Sequence, residues 1–335
     1  MRVLNRLELL CILCIVFLFS ETILAGGLGE SEANFIVAMD GSGDFSSVQE
    51  AIDQIPDFRA SETIVFIKEG VYKEKLILPT SKTNVTIVGE SADKTILTYD
   101  NYASRPNLFG ENMGTTGSSS FFVFGDNFTA RNITFENSSG PVGQAVAVRA
   151  SGDKMVFDNC KFLGFQDTLY PNQSGSRQYY RNCYIEGSVD FIFGWATVWF
   201  EECDIFCKTA GYITAASTEK SSAYGFVFNN CRISGDAPEG SVYLGRPWRD
   251  YAQTVFLNCY MSEIVHPLGW HNWNKSHAEQ TAFYAEFGSY GPGAKSEDRV
   301  GWSHQLSNTE AESYSVTSVL GGEDGWNPLE HVQPK

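Results

Sequence analysis

Short stretches in which apolar and polar residues alternate recur along most of the chain. Five of them share one template, which is an aromatic residue, any residue, Asn or Glu, Cys, any residue and an apolar residue; their cysteines are Cys160, Cys183, Cys203, Cys231 and Cys259. The spacings between these cysteines are 23, 20, 28 and 28 residues. Two earlier stretches, beginning at Asn84 and Asn132, carry an aliphatic residue in place of the cysteine. Periods in the twenties indicate stacked supersecondary units.

The composition of these units predicts strands. The units are short, alternating and rich in Val, Ile, Phe and Tyr, and few stretches between them have the periodicity and length of a helix. The pattern therefore disfavours a leucine-rich horseshoe and favours an all-β fold, a parallel β-helix with several short strands in each coil. The repeated Asn suits a tight turn, and the Cys or aliphatic residue after it is expected to point into the stack.

The first coil of a solenoid needs a cap, and the sequence offers a helix for it. The stretch after Phe45 has the apolar stripe of a helix, formed by Val48, Ala51, Ile52 and Ile55. Ser46 and Gln49 have the spacing of a capping box, so we expect a short N-terminal helix here. After about Val265 the template fades into a Trp- and Gly-rich segment, which predicts a looped C-terminal tail along the solenoid.

The N-terminus has the pattern of a secretory signal peptide. Two arginines precede an apolar run from Leu9 to Phe19, and small residues follow at Ala25 to Gly27. The run is too short to span a bilayer. We therefore predict a signal peptide over residues 1–25 and a single catalytic domain over residues 34–335. Six Asn-x-Ser/Thr sequons fit a glycosylating secretory route, at Asn84, Asn127, Asn132, Asn137, Asn172 and Asn274.

Charge excludes some partners. The 335 residues include 40 acidic and 24 basic side chains, so the net charge is −16. A chain this acidic is a poor ligand for nucleic acid or for anionic membranes, and we expect a monomer that binds neither.

Disulfides are permitted in a secreted protein, and stacked cysteines lie close together, but parallel side chains would strain such bonds. The sequence leaves the cysteine pairing open.

Two aspartates occupy the same position in successive coils. Asp167, in "GFQDTLY", follows Cys160 by seven residues, and Asp190, in "GSVDFIFG", follows Cys183 by seven. Their Cα atoms should therefore lie about one strand spacing, roughly 5 Å, apart. Two carboxylates that close among aromatic residues repel each other, so either one is protonated or a cation offsets their charge. Such a pair is typical of a catalytic site.

Two further segments supply groups for this site. The "QAVAVR" segment alternates as a strand, which places Gln144, Val146 and Val148 on one face, one coil before Asp167. The Gln144 amide could donate to a developing oxyanion. In "YLGRPWRDY", Arg246 could hold one aspartate ionised and Trp248 could stack on a sugar ring.

Metal and cofactor chemistry is not indicated. The five histidines cluster late in the chain without metal-ligand spacing, and no phosphate-binding glycine loop is present. We expect neither a metal nor an organic cofactor.

The order of five motifs resembles the pectin methylesterases, the plant cell-wall carbohydrate esterases. These motifs are "GVYKEK", "QAVAVR", "GFQDTLY", "DFIFG" and "LGRPW", and the resemblance extends from about Asn34 to Trp302. It implies a right-handed parallel β-helix and hydrolysis of the C6 methyl esters of galacturonate in pectin. Because the resemblance already begins at Asn34, the inhibitor-like pro-region of many plant members is expected to be absent.

The same resemblance implies a role for each site residue. Asp190 is the implied nucleophile and Asp167 the implied general acid and base. The implied oxyanion donors are Gln144 and Gln166, and Arg246 is implied to orient Asp190. The residues implied to line the sugar groove are Tyr170, Phe193 and Trp248, with Gln144 and Arg246 also contacting substrate.

The remaining implications concern supporting residues and partners. Tyr72 and Glu74 of "GVYKEK" are interpreted as structural. Two departures from the family pattern, "TTGSSS" at residues 115–120 and Ala216, affect substrate preference and not the chemistry. The expected partners are methylesterified pectin and a proteinaceous pectinesterase inhibitor.

Three other functions fit a solenoid of this kind. Two close carboxylates also suit a retaining glycoside hydrolase. A calcium-dependent pectate lyase would need an acidic ligand cluster and a basic residue. A sugar-binding solenoid without catalytic activity is the third alternative.

Overall fold

The computed structural model describes residues 29–332, and its regular secondary structure consists mainly of short strands that pair in parallel. In chain order the strands are β1 (Phe35–Val37), β2 (Thr63–Ile67), β3 (Gly70–Lys73), β4 (Leu76–Leu78), β5 (Val85–Gly89), β6 (Thr95–Tyr99), β7 (Phe121–Val123), β8 (Phe128–Arg131), β9 (Thr134–Asn137), β10 (Val148–Ala150), β11 (Met155–Asp158), β12 (Lys161–Leu163), β13 (Leu169–Pro171), β14 (Arg177–Arg181), β15 (Tyr184–Gly194), β16 (Thr197–Glu201), β17 (Asp204–Ala216), β18 (Phe226–Asn229), β19 (Arg232–Gly235), β20 (Val242–Gly245), β21 (Gln253–Leu257), β22 (Tyr260–Met261), β23 (Phe283–Phe287) and β24 (His304–Gln305). The predicted signal peptide lies outside the described residues.

The strands form three faces of a right-handed parallel β-helix, which confirms the predicted fold class. The first face has the order β1-β2-β5-β8-β11-β14-β16-β18-β21-β23-β24. The second face runs from β3 through β6, β9 and β12 into the first halves of β15 and β17, and then to β19 and β22. The third face runs from β4 through β7, β10 and β13 into the second halves of β15 and β17, and then to β20.

The repeated template forms the turn and the interior of each coil. The template aromatics stack inside the solenoid, from Phe157 through Tyr180, Phe200 and Phe228 to Phe256, with ring centroids 4.4 to 4.9 Å apart. This distance equals the strand spacing, so each coil repeats the contact of the previous one. The residue before each template cysteine adopts the left-handed conformation, for example Asn159 with φ 55°. All six described cysteines are buried and free.

A helix covers the first coil, as the apolar stripe predicts. Helix α1 spans Val48–Gln54, and its apolar residues are buried. The predicted capping box of Ser46 and Gln49 is wrong. The N-cap is the next residue, Ser47, whose side chain accepts a hydrogen bond from the amide of Glu50. Glu74 adds a second cap: its carboxylate accepts from the amides of Val48 and Gln49 at 2.9 and 3.0 Å. Glu74 is therefore structural, as interpreted from the sequence.

The C-terminal tail packs along the outside of the first face. The other helices are α2 (Gly114–Gly117), α3 (Asn308–Glu312) and α4 (Val316–Leu320), and the 3-10 helices are Glu30–Glu32, Ser276–Gln280, Ser296–Asp298 and Pro328–His331. Leu320 and Trp326 of the tail form one apolar cluster with Trp199 and Val227 of the sheet. The regular coils continue further than the template indicates, since β23 pairs with β21 in full register. Within residues 29–332 no helix is long and apolar enough to cross a membrane.

Candidate active site

The two aspartates lie side by side at the junction of the second and third faces. In the pairing of β13 with β15, Leu169 is opposite Ile192, and this offset of 23 residues places Asp167 beside Asp190. The amide of Asp167 donates to the carbonyl of Val189 at 3.1 Å. The predicted juxtaposition is therefore confirmed.

Both aspartates adopt an uncommon backbone conformation. The φ angles are 67° for Asp167 and 51° for Asp190, in the left-handed region. Strand β15 bends here, with register shifts against β17 on both sides of Val189. Gly187 allows this bend, since a Cβ at that position would lie 2.2 Å from the Cβ of Phe191. Non-glycine residues with positive φ concentrate at functional sites, where the surroundings hold them in place.

Arg246 forms a two-pronged ion pair with Asp190. Its Nε donates to Oδ1 at 2.8 Å and its Nη2 donates to Oδ2 at 2.7 Å. The guanidinium carbon lies 3.8 Å from the ring centroids of both Tyr212 and Trp273. A planar guanidinium held by a carboxylate and by aromatic rings has little freedom to rotate. The expected contact between Arg246 and Asp190 is thus present, and it fixes the orientation of the carboxylate.

Burial and charge separate the two carboxyl groups. The pKa of Asp167 is raised well above its usual value, first by burial and then by the charge of Asp190; the Gln144 side chain and Arg246 oppose these effects. The pKa of Asp190 is also raised, because burial outweighs the hydrogen bonds and charge of Arg246. Arg246 therefore lowers the pKa of Asp190, as a residue that holds one aspartate ionised should, although burial outweighs it. The geometry favours ionisation of Asp190, because a guanidinium contacts both of its oxygens, whereas Asp167 lies beside the negative charge of Asp190.

The two glutamines come from neighbouring coils. Gln144 pairs with Gln166 in an isolated parallel bridge, and the amide of Ala145 donates to the carbonyl of Gln166 at 3.1 Å. Both glutamines line the same cleft as the two aspartates. Two amide side chains therefore border the space beside the carboxylates, where they can donate hydrogen bonds.

The predicted single face of "QAVAVR" is wrong. The amides of Ala147 and Val148 both donate to the carbonyl of Thr168, at 2.8 and 3.4 Å, so the alternation shifts by one residue. Val146 consequently packs outside the solenoid against Tyr170, whereas Val148 belongs to the interior core. The shift leaves Gln144 in the cleft.

Aromatic rings form one wall of the cleft, whose volume is about 440 Å³. Tyr170 and Phe193 stack with centroids 4.1 Å apart and planes 13° from parallel. Trp248 lies 5.9 Å from Phe193 and 6.4 Å from Tyr170. All the residues predicted for substrate contact thus line this cleft, and its apolar wall suits the face of a sugar ring.

Sequence reasoning missed several residues of the cleft and its support. The missed residues are Thr115, Thr116, Tyr212 and Trp273. Trp273 belongs to the Trp- and Gly-rich segment after about Val265, where the coil template gives no signal for a site residue. Thr115 and Thr116 belong to "TTGSSS", a departure from the family pattern that is expected to affect substrate preference. Ala216 is buried, and its backbone carbonyl accepts from the amide of Trp248 at 3.0 Å, a contact that does not depend on the side chain at this position.

The assembled groups suit chemistry at an ester carbonyl. An ionised carboxylate can act as a nucleophile, a protonated carboxyl can donate to a leaving group, and amides can stabilise an oxyanion. Across the part of the chain that the structure describes, no cluster of three or more His, Cys, Asp or Glu residues could hold a metal ion.

Comparisons with known proteins agree with this chemistry. The family model described as Pectinesterase matches residues 34–323. Pectinesterase 31 of Arabidopsis thaliana is 43% identical over 295 residues, which cover 86% of this chain and 92% of that protein. The pectin methylesterase from carrot superposes with a TM-score of 0.82 at 33% identity, covering 92% of this chain and 98% of that one. A pectin methylesterase in complex with a hexasaccharide superposes with a TM-score of 0.76 at 29% identity, covering 88% and 98%.

Proposed function

Because the chain belongs to the pectinesterase family, we propose that Asp190 and Asp167 are the catalytic pair of its ester hydrolysis. The enzyme is a pectinesterase, which removes C6 methyl esters from the galacturonate units of pectin and releases methanol. One observation carries the assignment of roles. Arg246 holds both oxygens of Asp190, while burial and the charge of Asp190 raise the pKa of the neighbouring Asp167. This asymmetry supplies one ionised and one protonated carboxyl side by side.

The first half of the reaction forms an acyl-enzyme. A carboxylate oxygen of Asp190 attacks the ester carbonyl, and a bond forms between that oxygen and C6. The amides of Gln144 and Gln166 donate to the oxyanion of the tetrahedral intermediate. When the intermediate collapses, the bond from C6 to the methoxy oxygen breaks, and Asp167 gives its proton to the departing methanol.

The second half restores the enzyme. Asp167, now ionised, takes a proton from water, and the resulting hydroxide attacks the acyl carbon. The bond between C6 and Asp190 breaks, which releases the free galacturonate and regenerates the ionised nucleophile. Arg246 stabilises the carboxylate of Asp190 in both the resting and the released state. Tyr170, Phe193 and Trp248 hold the sugar ring against the cleft wall.

The proposal extends to the setting of the enzyme. We propose that residues 34–335 form one catalytic domain that acts as a monomer, and that residues 1–25 direct the chain to the cell wall. A glycosylated, secreted form agrees with the sequons. The net charge of −16 argues against binding to nucleic acid or membranes. A proteinaceous inhibitor stays a predicted partner.

One assay separates the esterase from the other functions that a solenoid of this kind could have. The protein is incubated with methylated pectin while methanol, new reducing ends and unsaturated ends are measured together. Release of methanol alone is the expected result. New reducing ends without methanol would assign a glycoside hydrolase, and unsaturated ends a lyase. No product of any kind would indicate a binding protein. The matched control is Asp190→Asn, which should release no methanol.

A further inference from the structure

The folded chain distinguishes two of its six N-glycosylation sequons from the other four. We propose that N-linked oligosaccharides are attached at Asn127 and Asn274, and that the glycan at Asn274 stands at the rim of the catalytic cleft. The inference rests on the proposed export of the enzyme, because the transfer takes place in the secretory route.

The transfer needs a side-chain amide that can remain modified in the folded protein. The amide Nδ2 forms a bond to C1 of an oligosaccharide carried on a lipid diphosphate. The bond from C1 to the diphosphate oxygen breaks, the lipid diphosphate leaves, and one amide proton is lost. The substituted nitrogen keeps a single hydrogen and carries a bulky polar group. It must therefore point into solvent once the chain has folded.

Asn137 cannot meet this requirement. Its side chain is only 3% exposed, and its Nδ2 donates to the carbonyls of Asn101, Ser118 and Val146 at 2.9, 3.2 and 3.0 Å. These bonds join three segments beside the cleft. A glycan on Nδ2 would remove at least one donor hydrogen and leave buried carbonyls unpaired, which a folded protein rarely tolerates.

Asn172 is excluded by burial. It is 1% exposed, and its Oδ1 accepts from the amide of Gln173 at 2.7 Å. No room exists there for a sugar without displacing the turn that follows β13.

Asn84 and Asn132 occupy the half-buried turns of the coil template. The Nδ2 of Asn84 donates to the carbonyl of Arg59 at 2.8 Å. The Oδ1 of Asn132 accepts from Nδ2 of Asn159, the corresponding turn residue of the next coil, at 2.8 Å. A glycan on Nδ2 of Asn84 would crowd the bond to Arg59. A glycan on Nδ2 of Asn132 would have to leave a half-buried turn that packs against the Asn159 side chain, so both sequons should stay unmodified.

Asn127 and Asn274 differ from these four. Both side chains are exposed, and within residues 29–332 neither makes a side-chain hydrogen bond. Asn127 is the last residue of the turn before β8, with φ 55°, and Asn274 lies in the loop before the 3-10 helix Ser276–Gln280, with φ 56°. Both residues adopt the left-handed backbone conformation, and both Asn side chains extend into solvent.

The loop of Asn274 belongs to the cleft. Its neighbour Trp273 lines the cleft and stacks on Arg246 at 3.8 Å. Lys275, on the other side, donates to the carbonyls of Pro247 and Trp248 at 3.0 Å each. The loop is therefore tied to the segment that carries Arg246, and an oligosaccharide on Asn274 would extend from the edge of the substrate groove.

Site-resolved mapping of the exported protein tests the proposal. The full chain, preceded by the secretion leader of a glycosylating host, is collected from the medium and digested. The peptides are treated with an N-glycan amidase in ¹⁸O-water, which converts each occupied Asn to an ¹⁸O-labelled Asp. Label at Asn127 and Asn274 and at no other sequon is the expected pattern. Label at Asn84, Asn132, Asn137 or Asn172, or its absence from Asn127 or Asn274, would overturn the proposal.

A pair of variants checks Asn274 separately. Ser276→Ala destroys this sequon and should lower the intact mass by one oligosaccharide, whereas Ser276→Thr preserves the sequon and should keep the mass of the glycan. An unchanged glycan content in Ser276→Ala would contradict occupancy at Asn274. Methanol release from pectin is measured on the same preparations. Failure of that activity would count against the proposed function, and the glycan map would remain valid.

Discussion

Arg246 donates two hydrogen bonds of 2.8 and 2.7 Å to the carboxylate of Asp190, and this ion pair lies directly beside Asp167. A bidentate guanidinium fixes both the charge and the direction of a carboxylate. The pair thus distinguishes two aspartates that the coil repeat otherwise places in equivalent positions.

Replacing Arg246 with Ala should lower turnover by about 10²-fold or more, because Asp190 loses the group that orients its carboxylate and favours its ionised form. Burial already raises the pKa of Asp190, and Arg246 is the group that opposes the rise. Without it the pKa of Asp190 should rise further, so the acidic limb of the pH–rate profile should move to higher pH. Arg232→Ala, which removes an exposed arginine, is the control. An unmoved acidic limb in Arg246→Ala would contradict the role of Arg246.

Asp167→Asn should impair hydrolysis of pectin methyl esters by about 10²- to 10⁴-fold, since the departing methanol loses its proton donor. An ester with an acidic leaving group needs no such proton, so its acyl transfer, followed as a single-turnover burst, should be much less affected. Asp190→Asn, which lacks the nucleophile, should fail with both esters. If the activated ester instead rescued Asp190→Asn and not Asp167→Asn, the two roles would be reversed.

Gln144→Ala should reduce turnover by about 10²-fold with little change in KM, because an oxyanion donor acts mainly in the transition state. Steady-state kinetics on methylated pectin would measure this split. Gln173→Ala, a glutamine outside the cleft, provides the comparison. A normal turnover with a strongly raised KM would identify Gln144 as a substrate-binding residue.

Trp273→Ala should reduce turnover by about tenfold, since a desolvated cation–π contact with Arg246 contributes up to about 2 kcal/mol. Trp273 positions Arg246, which in turn contacts Asp190. Its loss should therefore move the acidic limb of the pH–rate profile to higher pH, as in Arg246→Ala. Trp273→Phe keeps an aromatic face and should restore most of the activity. Equal losses in the Ala and Phe variants, with an unchanged pH profile, would argue against positioning through Arg246.

The sequence determined the architecture because the coil repeat is a local property. Each template unit contains its own turn residue and its own interior side chain, such as Asn159 and Cys160, and stacking only repeats the unit. The juxtaposition of Asp167 and Asp190 follows from the same arithmetic, since equal positions in successive coils lie side by side. The fold and the carboxylate pair therefore follow from the sequence alone.

The tertiary structure decided what the repeat does not encode. Val146 and Val148 pack into different apolar clusters, because the amides of Ala147 and Val148 share the carbonyl of Thr168 and shift the register by one residue. The alternation of apolar residues does not indicate such a shift. Trp273 reaches Arg246 from a loop outside the coils, where no period predicts the contact. The pKa of Asp190 rises although Arg246 is present, because desolvation depends on how completely neighbouring elements cover the group. Sequence spacing fixes which residues are neighbours along a regular stack, whereas loop contacts, bulges and burial depend on the whole folded surface.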